Sequence, residues 1–342
     1  MKRYRVGVVG ARFGAAVHVP AFQAQGRFDV VALASPSSAA AIAAQRGVPR
    51  AFGSLDELLA GVDVDVIAVA SPAYLHRDHV LAALAAGKHV LCEKPMALDV
   101  AQAETMRRAG ERAGRVTALA HEFRFVPPVV AIRQLIANGH LGPLREIEVN
   151  WMTTWLRAGG DRPNSWWFER ARGGGQTGAL LSHLIDLASH IAGRYPVRTT
   201  GIERTANPQR SAGGESFSSD VADGAFAILD FGEGLVARLG ADGTRVVESA
   251  LVAVHGEMRT AVTSGPRITA MRTFTVDEDE TSELEIKPSA HANLAAAHPN
   301  LPAFVDLLDQ FVRALDGEPA EIPTFADGVA TQRALAAIGY GA

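Results

Sequence analysis

The sequence that decides the fold is YRVGVVGARFGA, residues 4–15. A β-branched apolar run ends at Gly10, a turn passes through Arg12 and Phe13, and an Ala-rich segment with helical spacing follows over 14–25. This order of strand, glycine turn and helix is typical of units that bind a dinucleotide, because the turn and the helix start present backbone N–H groups to phosphate. The sequence therefore predicts a dinucleotide-binding unit near the N-terminus.

The turn departs from the usual fingerprint G-x-G-x-x-G/A at one position. Gly10 and Ala15 occupy its first and third positions, but Arg12 stands where a second glycine normally lets the backbone approach the pyrophosphate. An arginine fits there if its guanidinium turns outward, where it adds charge-assisted hydrogen bonds to a phosphate. Gly14 keeps the helix start uncrowded. The alternative interpretation is a glycine turn that binds nothing.

The strand–helix rhythm repeats up to residue 122. Near-continuous apolar runs, as expected of parallel strands buried on both faces, alternate with Ala-rich helical segments. The runs lie at 29–35, 64–70, 88–92 and 116–121, and the helical segments at 38–46, 74–86 and 99–113. Residues 1–122 are therefore predicted to form a doubly wound Rossmann domain of right-handed βαβ units.

Residues 123–342 follow a different pattern. Alternating segments such as 225–231 and 235–241, separated by turn residues, predict an α/β domain with a large open, mainly antiparallel sheet, so that the fold class is α/β plus α+β. An apolar helix is expected at about 178–192 and a mobile loop at 207–219, where Gly, Ser and Asn are frequent.

The chain is predicted to close with two amphipathic helices, near 301–315 and 324–340. This C-terminal segment, 301–342, is a candidate for packing back on the first domain.

Composition limits the class of partner. The formal net charge of the 342 residues is −4, and no cluster of Lys and Arg suggests a nucleic-acid surface. No apolar run is long enough to span a bilayer. The single cysteine, Cys92, rules out an internal disulfide and suits a reducing compartment. We therefore expect a cytoplasmic protein that binds neither nucleic acid nor membrane.

The end of the second predicted strand bears on the choice of cofactor. A carboxylate there would hold the ribose 2′-hydroxyl of NAD and repel a 2′-phosphate. The sequence instead has Ser35-Pro36-Ser37-Ser38, and Arg12 is available to neutralise a phosphate. NADP(H) is therefore favoured and NAD(H) is the alternative, since the serines are also consistent with a simple helix N-cap.

Several later motifs carry a family resemblance. VLCEKPMA (90–97) ends a predicted strand, and SPAYLH (71–76) follows another. A glycine run (173–175) leads into SHLID (182–186), and FADG (325–328) lies near the end. Together these segments resemble the family of glucose–fructose oxidoreductase, inositol dehydrogenase and MocA over essentially the whole chain.

The resemblance implies a Rossmann domain followed by an α/β domain whose open sheet often forms the oligomer interface, hence a homodimer or homotetramer. It also implies hydride transfer between a nicotinamide and a carbon bearing a hydroxyl, usually on a pyranose or cyclitol, and it implies no metal.

Oxidation of a secondary alcohol requires a group that accepts the hydroxyl proton and a positive group that stabilises the developing alkoxide. Lys94 follows a parallel strand at its carboxyl end, where open α/β sheets bind ligands, and its ammonium suits the second role. Glu93 is expected to orient the local backbone, and the Lys94–Pro95 bond is a candidate for the cis form. The alternative for Lys94 is a surface lysine.

His183 is the candidate proton carrier, because the pKa of imidazole lies near neutrality. The resemblance implies a partner aspartate four residues earlier, but that position is Ala179. Either His183 works with Lys94 alone, or another group supplies the proton path, or catalysis is slow or lost. Asp186 shares the helix face of His183 and is a candidate contact for a substrate hydroxyl or for the imidazole. Structural roles for His183 and Asp186 remain open.

The substrate side is marked by a concentration of aromatic residues. All four tryptophans lie between residues 151 and 167, and indole faces stack on the C–H faces of a pyranose. Trp155 and Trp166 are the candidates, against the alternative of simple packing under the sheet. Arg124 is a candidate for contacting substrate or cofactor, against an interdomain salt bridge. His183, Asp186 and His190 have a metal-like spacing, but no metal is predicted.

The predicted function is an NAD(P)-dependent oxidoreductase that acts on a secondary alcohol or ketone of a sugar or cyclitol. One alternative is an enzyme that retains its cofactor and oxidises a sugar transiently so that a glycosidic bond is cleaved. Another is an inactive dinucleotide- or sugar-binding regulatory protein. The predicted cofactor contacts are Gly10, Arg12, Phe13, Gly14, Ser35, Ser71, Pro72, His76, Glu93 and Lys94. The predicted substrate contacts are Lys94, Arg124, Trp155, Trp166, His183 and Asp186.

Overall fold

The computed structural model describes residues 2–159, 162–278 and 280–341. The chain divides into two compact units. The first contains the chain up to Glu122 together with Ser289–Val329, and the second contains Phe123–Pro288 and the chain from Ala330 onward. The division into a cofactor domain and a substrate domain stays a prediction.

The secondary structure is a mixture of strands and helices. The strands are β1 (Tyr4–Val9), β2 (Phe28–Ala34), β3 (Arg50–Phe52), β4 (Val66–Val69), β5 (His89–Cys92), β6 (Thr117–Leu119), β7 (Leu144–Met152), β8 (Arg198–Arg204), β9 (Gln209–Ala212), β10 (Glu215–Ser218), β11 (Gly224–Asp230), β12 (Val236–Asp242), β13 (Ser249–Gly256), β14 (Thr260–Arg267), β15 (Ala270–Val276) and β16 (Thr281–Leu284). The α-helices are α1 (Val19–Gln25), α2 (Ala39–Arg46), α3 (Leu55–Gly61), α4 (His76–Ala85), α5 (Val100–Ala113), α6 (Pro127–Ala137), α7 (Ser182–Ala192), α8 (Leu301–Leu315) and α9 (Phe325–Ala336). Among the described residues, no helix combines the length and apolarity needed to cross a membrane.

The first unit is built on a parallel sheet in the order β3-β2-β1-β4-β5-β6. The order reverses at β1, which is the doubly wound arrangement predicted from the sequence. β4 and β5 are almost entirely apolar because helices cover both faces of such a sheet. The C-terminal α8 packs against α1 within this unit, and its Phe311 ring stacks on that of Phe28 of β2. The carboxyl ends of β1, β4, β5 and β6 therefore lie along one edge of a well-packed sheet.

The second unit is built on a larger sheet in the order β16-β15-β14-β13-β7-β12-β11-β8. Neighbouring strands are antiparallel, except that β7 and β12 pair in parallel. The helix α7 packs against β7 and β12 and covers one face of the sheet. On β11 the buried residues alternate with Phe226 and Ile228, which are half-buried and exposed, so one face of the sheet is uncovered at this strand.

The structure corrects the sequence interpretation at several places. The predicted mobile loop at 207–219 is wrong, because β9 and β10 pair there as an antiparallel hairpin around Gly213 and Gly214. Both glycines have positive φ, so their abundance marked a tight turn between strands. The helices α3 and α6 were not predicted. Helical turns of π type, Gly14–His18 and Thr177–Leu181, lead directly into α1 and α7.

Candidate active site

The turn after β1 is closely packed at Gly10. Its φ of +118° lies in the range that favours glycine, and a Cβ there would come within 2.1 Å of the carbonyl oxygen of Ala70. Gly14 is also confined, because a Cβ would lie 3.1 Å from Val8 and 3.2 Å from Ala70. Arg12, between these glycines, is exposed. The local backbone therefore fits the predicted turn, with the arginine side chain directed to solvent.

At the end of β2 the structure places hydroxyl groups where a carboxylate would select NAD. The Oγ atoms of Ser35 and Ser38 lie 3.2 Å apart, and Ser37 is exposed. Ser38 precedes α2 but makes no side-chain cap on this helix, so the simple N-cap interpretation does not apply.

The loops after β4 and β5 are joined by a buried histidine. The ring of His76 places Nε2 2.8 Å from the carbonyl oxygen of Ser71 and Nδ1 3.0 Å from that of Pro95. Burial lowers the pKa of His76 below its ordinary value. The Oγ of Ser71 lies 2.9 Å from Nδ1 of His79, and Pro72 is half-buried in the same loop. These residues hold the shape of the two loops.

The segment after β5 carries a buried acid–base pair. The Lys94–Pro95 peptide bond is cis, which confirms the expectation. Oε1 of Glu93 lies 2.8 Å from Nε2 of His18, which is fully buried against the ring of Phe304. Burial pushes the pKa of Glu93 up, but the hydrogen bond and charge of His18 outweigh it, so the pKa lies below its ordinary value. Oε2 of Glu93 accepts a hydrogen bond from the backbone N–H of Lys94, in keeping with the predicted orienting role.

Lys94 lies beside a second buried carboxyl group. Burial lowers the pKa of the Lys94 ammonium, against the opposing charges of Glu93 and Glu122. Glu122 follows β6 at the same edge of the sheet, and sequence analysis did not single it out. In the sequence, the position of Glu122 after a predicted buried strand was the one signal that could have indicated it. Its burial and its charged neighbours are visible only in the structure. Phe13, in the turn after β1, has its ring centroid 6.0 Å from that of His18 and 6.3 Å from that of His298.

In the second unit, a glycine-rich turn positions the start of α7. A Cβ on Gly174 would lie 2.1 Å from the carbonyl oxygen of Trp167, and one on Gly178 would lie 2.6 Å from the ring of Tyr340. His183, at the second position of α7, is 4% exposed and its ring stacks on Phe123 at 4.3 Å between centroids. The imidazole is therefore held in a defined orientation by an aromatic neighbour.

Asp186 is engaged by Arg124 within the same unit. Nε and Nη2 of Arg124 bind the two carboxylate oxygens of Asp186 at 2.7 and 2.5 Å. Both side chains are almost fully buried. This ion pair lies within the second unit, since Asp186 is on α7 of the same unit, and an interdomain salt bridge for Arg124 stays an open alternative. This arrangement supports a structural part for Asp186, in addition to the predicted contact with substrate.

The tryptophans divide between packing and exposure. Trp151 is buried, with its ring 5.0 Å from Phe123 and 5.8 Å from Trp155. Trp155 is 43% exposed. Trp167 is buried and Trp166 half-buried in a cluster that includes Leu156, Phe168 and Val221. Trp155 and Trp166 are thus the two indoles with surface left for a ligand.

The residue four positions before His183 is Ala179, where the family resemblance implies an aspartate. Ala179 lies in the π-type turn that precedes α7 and packs against the Leu156 cluster.

A separate group of possible metal-ligand atoms, from His291, Asp306 and Asp309, occurs in the first unit, with the atoms within 4.8 Å of one another. Nε2 of His291 lies 3.0 Å from Oδ2 of Asp309, as in an ordinary ion pair. The prediction that no metal is used stays a prediction.

Comparisons with known proteins bear on the whole chain. A family model described as an oxidoreductase family with an NAD-binding Rossmann fold matches residues 4–121, and a GFO/IDH/MocA C-terminal domain model matches residues 129–262. An uncharacterised oxidoreductase of Synechocystis is 38% identical over 191 residues, which are 55% of this chain and 51% of the relative. The D-glucoside 3-dehydrogenase of Escherichia coli is 29% identical over 239 residues, which are 67% of each protein.

A solved structure of levoglucosan dehydrogenase in complex with NADH is similar in fold. Its TM-score is 0.87 at 21% identity, covering 99% of this chain and 97% of the other. The matched region spans about half the length of the Synechocystis relative. Both family models match in sequence order, and they meet where the first unit passes into the second. The chain belongs to the GFO/IDH/MocA family of oxidoreductases with an NAD-binding Rossmann fold.

Proposed function

We propose that this chain transfers a hydride between a nicotinamide dinucleotide and a secondary alcohol or ketone of a sugar or cyclitol. The observation that carries this proposal is the position of Lys94 at the carboxyl end of β5, where the charges of the buried Glu93 and Glu122 act on it. Family relatives named for glucoside and levoglucosan oxidation support a sugar as the substrate class.

In this proposal, Lys94 donates a hydrogen bond from its ammonium to the substrate oxygen and stabilises negative charge that develops there. His183 accepts the hydroxyl proton at its imidazole. Glu93 holds the backbone of Lys94 through the hydrogen bond to its N–H. A bound nicotinamide would supply the acceptor or donor of the hydride at that carbon.

The dinucleotide would be held by the turn after β1 and by the loops after β2, β4 and β5. Gly10 and Gly14 shape the first turn, and the exposed Arg12 is available to a phosphate. The segment after β2, Ser35-Pro36-Ser37-Ser38, contains no carboxylate, which supports the prediction of NADP(H). The relative with NADH shows that NAD(H) fits the same fold, so NAD(H) remains the alternative.

The sugar would be oriented by side chains of the second unit. Trp155 and Trp166 offer indole faces to its C–H groups. The guanidinium of Arg124 and the carboxylate of Asp186 are proposed to contact substrate hydroxyls from within their ion pair.

The decisive experiment begins with NADH and NADPH titrations of the purified protein, followed by a panel of sugars and cyclitols read at the nicotinamide absorbance. The Lys94→Ala variant should lower kcat by about 10²- to 10⁴-fold and leave dinucleotide affinity nearly intact. Lys88→Ala is the matched control, because Lys88 is a lysine paired with Asp63 on the same unit. Equal turnover in wild type and Lys94→Ala would refute the assigned role.

The same experiment separates the alternative functions. Tightly retained cofactor with sugar turnover but no net reduction of added nucleotide would indicate transient oxidation and glycosidic cleavage. Binding of nucleotide and sugar without turnover would indicate a regulatory binding protein, an outcome to which the missing carboxylate at Ala179 points. Failure to bind either nucleotide would end all of these interpretations.

We also propose a homodimer or homotetramer formed through the uncovered face of the larger sheet. Ile202 and Ile228 are exposed there, on β8 and β11. Light scattering of the wild type and Ile228→Glu tests this, and an unchanged mass would refute it. A cytoplasmic location stays a prediction.

A further inference from the structure

Glu122 is a buried carboxyl group whose hydrogen bonding is half complete. Its side chain is 1% exposed, and it follows β6 directly. Oε1 accepts a hydrogen bond of 3.0 Å from the side-chain amide of Asn300, at the start of α8. Oε2 is buried and has no hydrogen-bond partner among the described residues. An ionised carboxylate in such a place would be poorly solvated, whereas a carboxylic acid needs less compensation.

The charged and polar groups around Glu122 in the first unit also affect whether it is protonated. Glu93 and Lys94, from the segment after β5, interact electrostatically with it, and the amide of Asn300 faces it from α8. Glu93 is itself ionised and paired with His18, with His76 also acting on it. Burial, reinforced by the charge of Glu93, raises the pKa of Glu122 to about 8, although the charge of Lys94 opposes the rise.

The carboxyl groups of Glu93 and Glu122 thus both interact with the ammonium of Lys94. With both ionised, the ammonium of Lys94 would face two negative charges, and its electrostatic effect on a substrate oxygen would be largely cancelled. With one protonated, the ammonium of Lys94 faces a single carboxylate and remains available to the substrate. Like charges held close together in a poorly solvated site seldom ionise together.

We propose that Glu122 keeps its proton at neutral pH and thereby sets the charge around Lys94, so that of the two carboxyl groups acting on the ammonium only Glu93 is ionised. Glu122 acts as a positioning residue through Lys94 and transfers no proton to the substrate. The part of this inference that concerns catalysis rests on the proposed function, but the charge state of Glu122 does not.

The first test needs no activity. Infrared difference spectroscopy of the full-length wild-type protein between pH 6 and pH 10 should show loss of the C=O stretch of a protonated carboxyl group with a midpoint near the pKa of about 8. The Glu122→Gln variant should lack this signal, and Glu57→Gln, which alters an exposed glutamate, should retain it. Absence of the band in wild type, or its persistence in Glu122→Gln, would overturn the proposal.

The second test measures Lys94 itself. Competitive acetylation at a series of pH values, read by mass spectrometry, gives the pH at which each lysine becomes reactive. Because an ionised Glu122 favours the ammonium, Lys94 should titrate about one pH unit lower in Glu122→Gln than in wild type. Lys88 in the same molecule serves as the internal control and should not shift. An unchanged Lys94 profile would overturn the proposed coupling.

The third test asks whether the protonation of Glu122 affects turnover. The Asn300→Leu variant removes a hydrogen bond that favours the ionised form, so Glu122 should hold its proton to higher pH. The alkaline loss of kcat/KM in alcohol oxidation should then move upward, whereas a loss caused by Lys94 deprotonation would move downward. A downward or absent shift would overturn the catalytic part. If no sugar is oxidised while the infrared and acetylation results hold, the proposed function fails and the charge assignment stands.

Discussion

The guanidinium of Arg124 binds both carboxylate oxygens of Asp186, and the two side chains are 10% and 2% exposed. This pair ties the segment after Phe123 to the same helix that carries His183. Two charged groups buried in this way depend on one another, because neither is well solvated alone.

Removal of either partner should therefore lower the free energy of unfolding. Asp186→Ala leaves a buried guanidinium and should lower the free energy of unfolding by about 3–5 kcal/mol, measured by urea denaturation. The double variant Arg124→Met/Asp186→Leu should recover most of the loss. Asp29→Ala, which breaks the exposed pair with Arg3, is the control and should change stability little. A similar small effect for Asp186→Ala would contradict the importance of the pair.

The turn after β1 gives a prediction about backbone packing. Gly10→Ala combines a positive φ with a clash against Ala70, and should lower the free energy of unfolding by about 3 kcal/mol or more. Gly26→Ala shares the positive φ but meets nothing within 4 Å, and should cost only about 1 kcal/mol. Thermal unfolding of both variants tests the difference. Equal losses would mean that the close approach to Ala70 is unimportant.

The choice of cofactor can be tested at the end of β2. Ser35→Asp introduces the carboxylate that a ribose 2′-hydroxyl prefers and a 2′-phosphate avoids. NADPH affinity should fall about tenfold or more, and NADH affinity should hold or improve, as measured by nucleotide fluorescence. Arg12→Gln should weaken NADPH binding more than NADH binding. If neither substitution changes the ratio of the two affinities, the preference for NADP(H) is wrong.

The position before His183 offers a gain-of-function prediction. Ala179→Asp supplies a carboxylate one helical turn earlier, which would orient the imidazole and stabilise its protonated form. We expect kcat to rise about tenfold at neutral pH. Ala179→Asn, of the same size but uncharged, should give little increase. A loss of folding in both variants, seen by circular dichroism, would show that the Leu156 cluster does not accept a polar side chain.

The pairing of Glu93 with His18 predicts a dependence of stability on pH. Because the pKa of Glu93 is lowered on folding, its ionised form stabilises the protein above its unfolded pKa, and this contribution is lost as pH falls through the folded value. Glu93→Gln should therefore be destabilised relative to wild type at pH 7, with the gap closing below about pH 4. Urea midpoints across this range measure it. A gap that is constant with pH would contradict the ionised pair.

Local patterns were enough to predict five of the six strands of the first sheet, because each of those five is a short apolar run ended by a turn. The short and largely exposed β3 was not predicted. The ends of α8 were predicted for a similar reason, since its apolar face repeats with helical spacing. The parallel pairing of β7 with β12 was not predictable, because periodicity gives the faces of a strand and not its neighbour.

The candidate site shows the same limit. Lys94 and His183 stand in recognisable motifs, so their types and positions pointed to chemistry directly. The bond between Arg124 and Asp186 joins residues 62 positions apart, and Glu122 acquires its character from burial beside Glu93. Such properties arise only when distant segments pack together.

The two carbonyl contacts of His76 have a mechanical consequence. A neutral imidazole has a single N–H donor, so it can satisfy only one of the carbonyls of Ser71 and Pro95 at a time. The neutral ring therefore donates a hydrogen bond to only one of the two loops, and uptake of a proton would let it donate to both. The loops after β4 and β5 should then become less mobile together on acidification, because one ring would bind both of them.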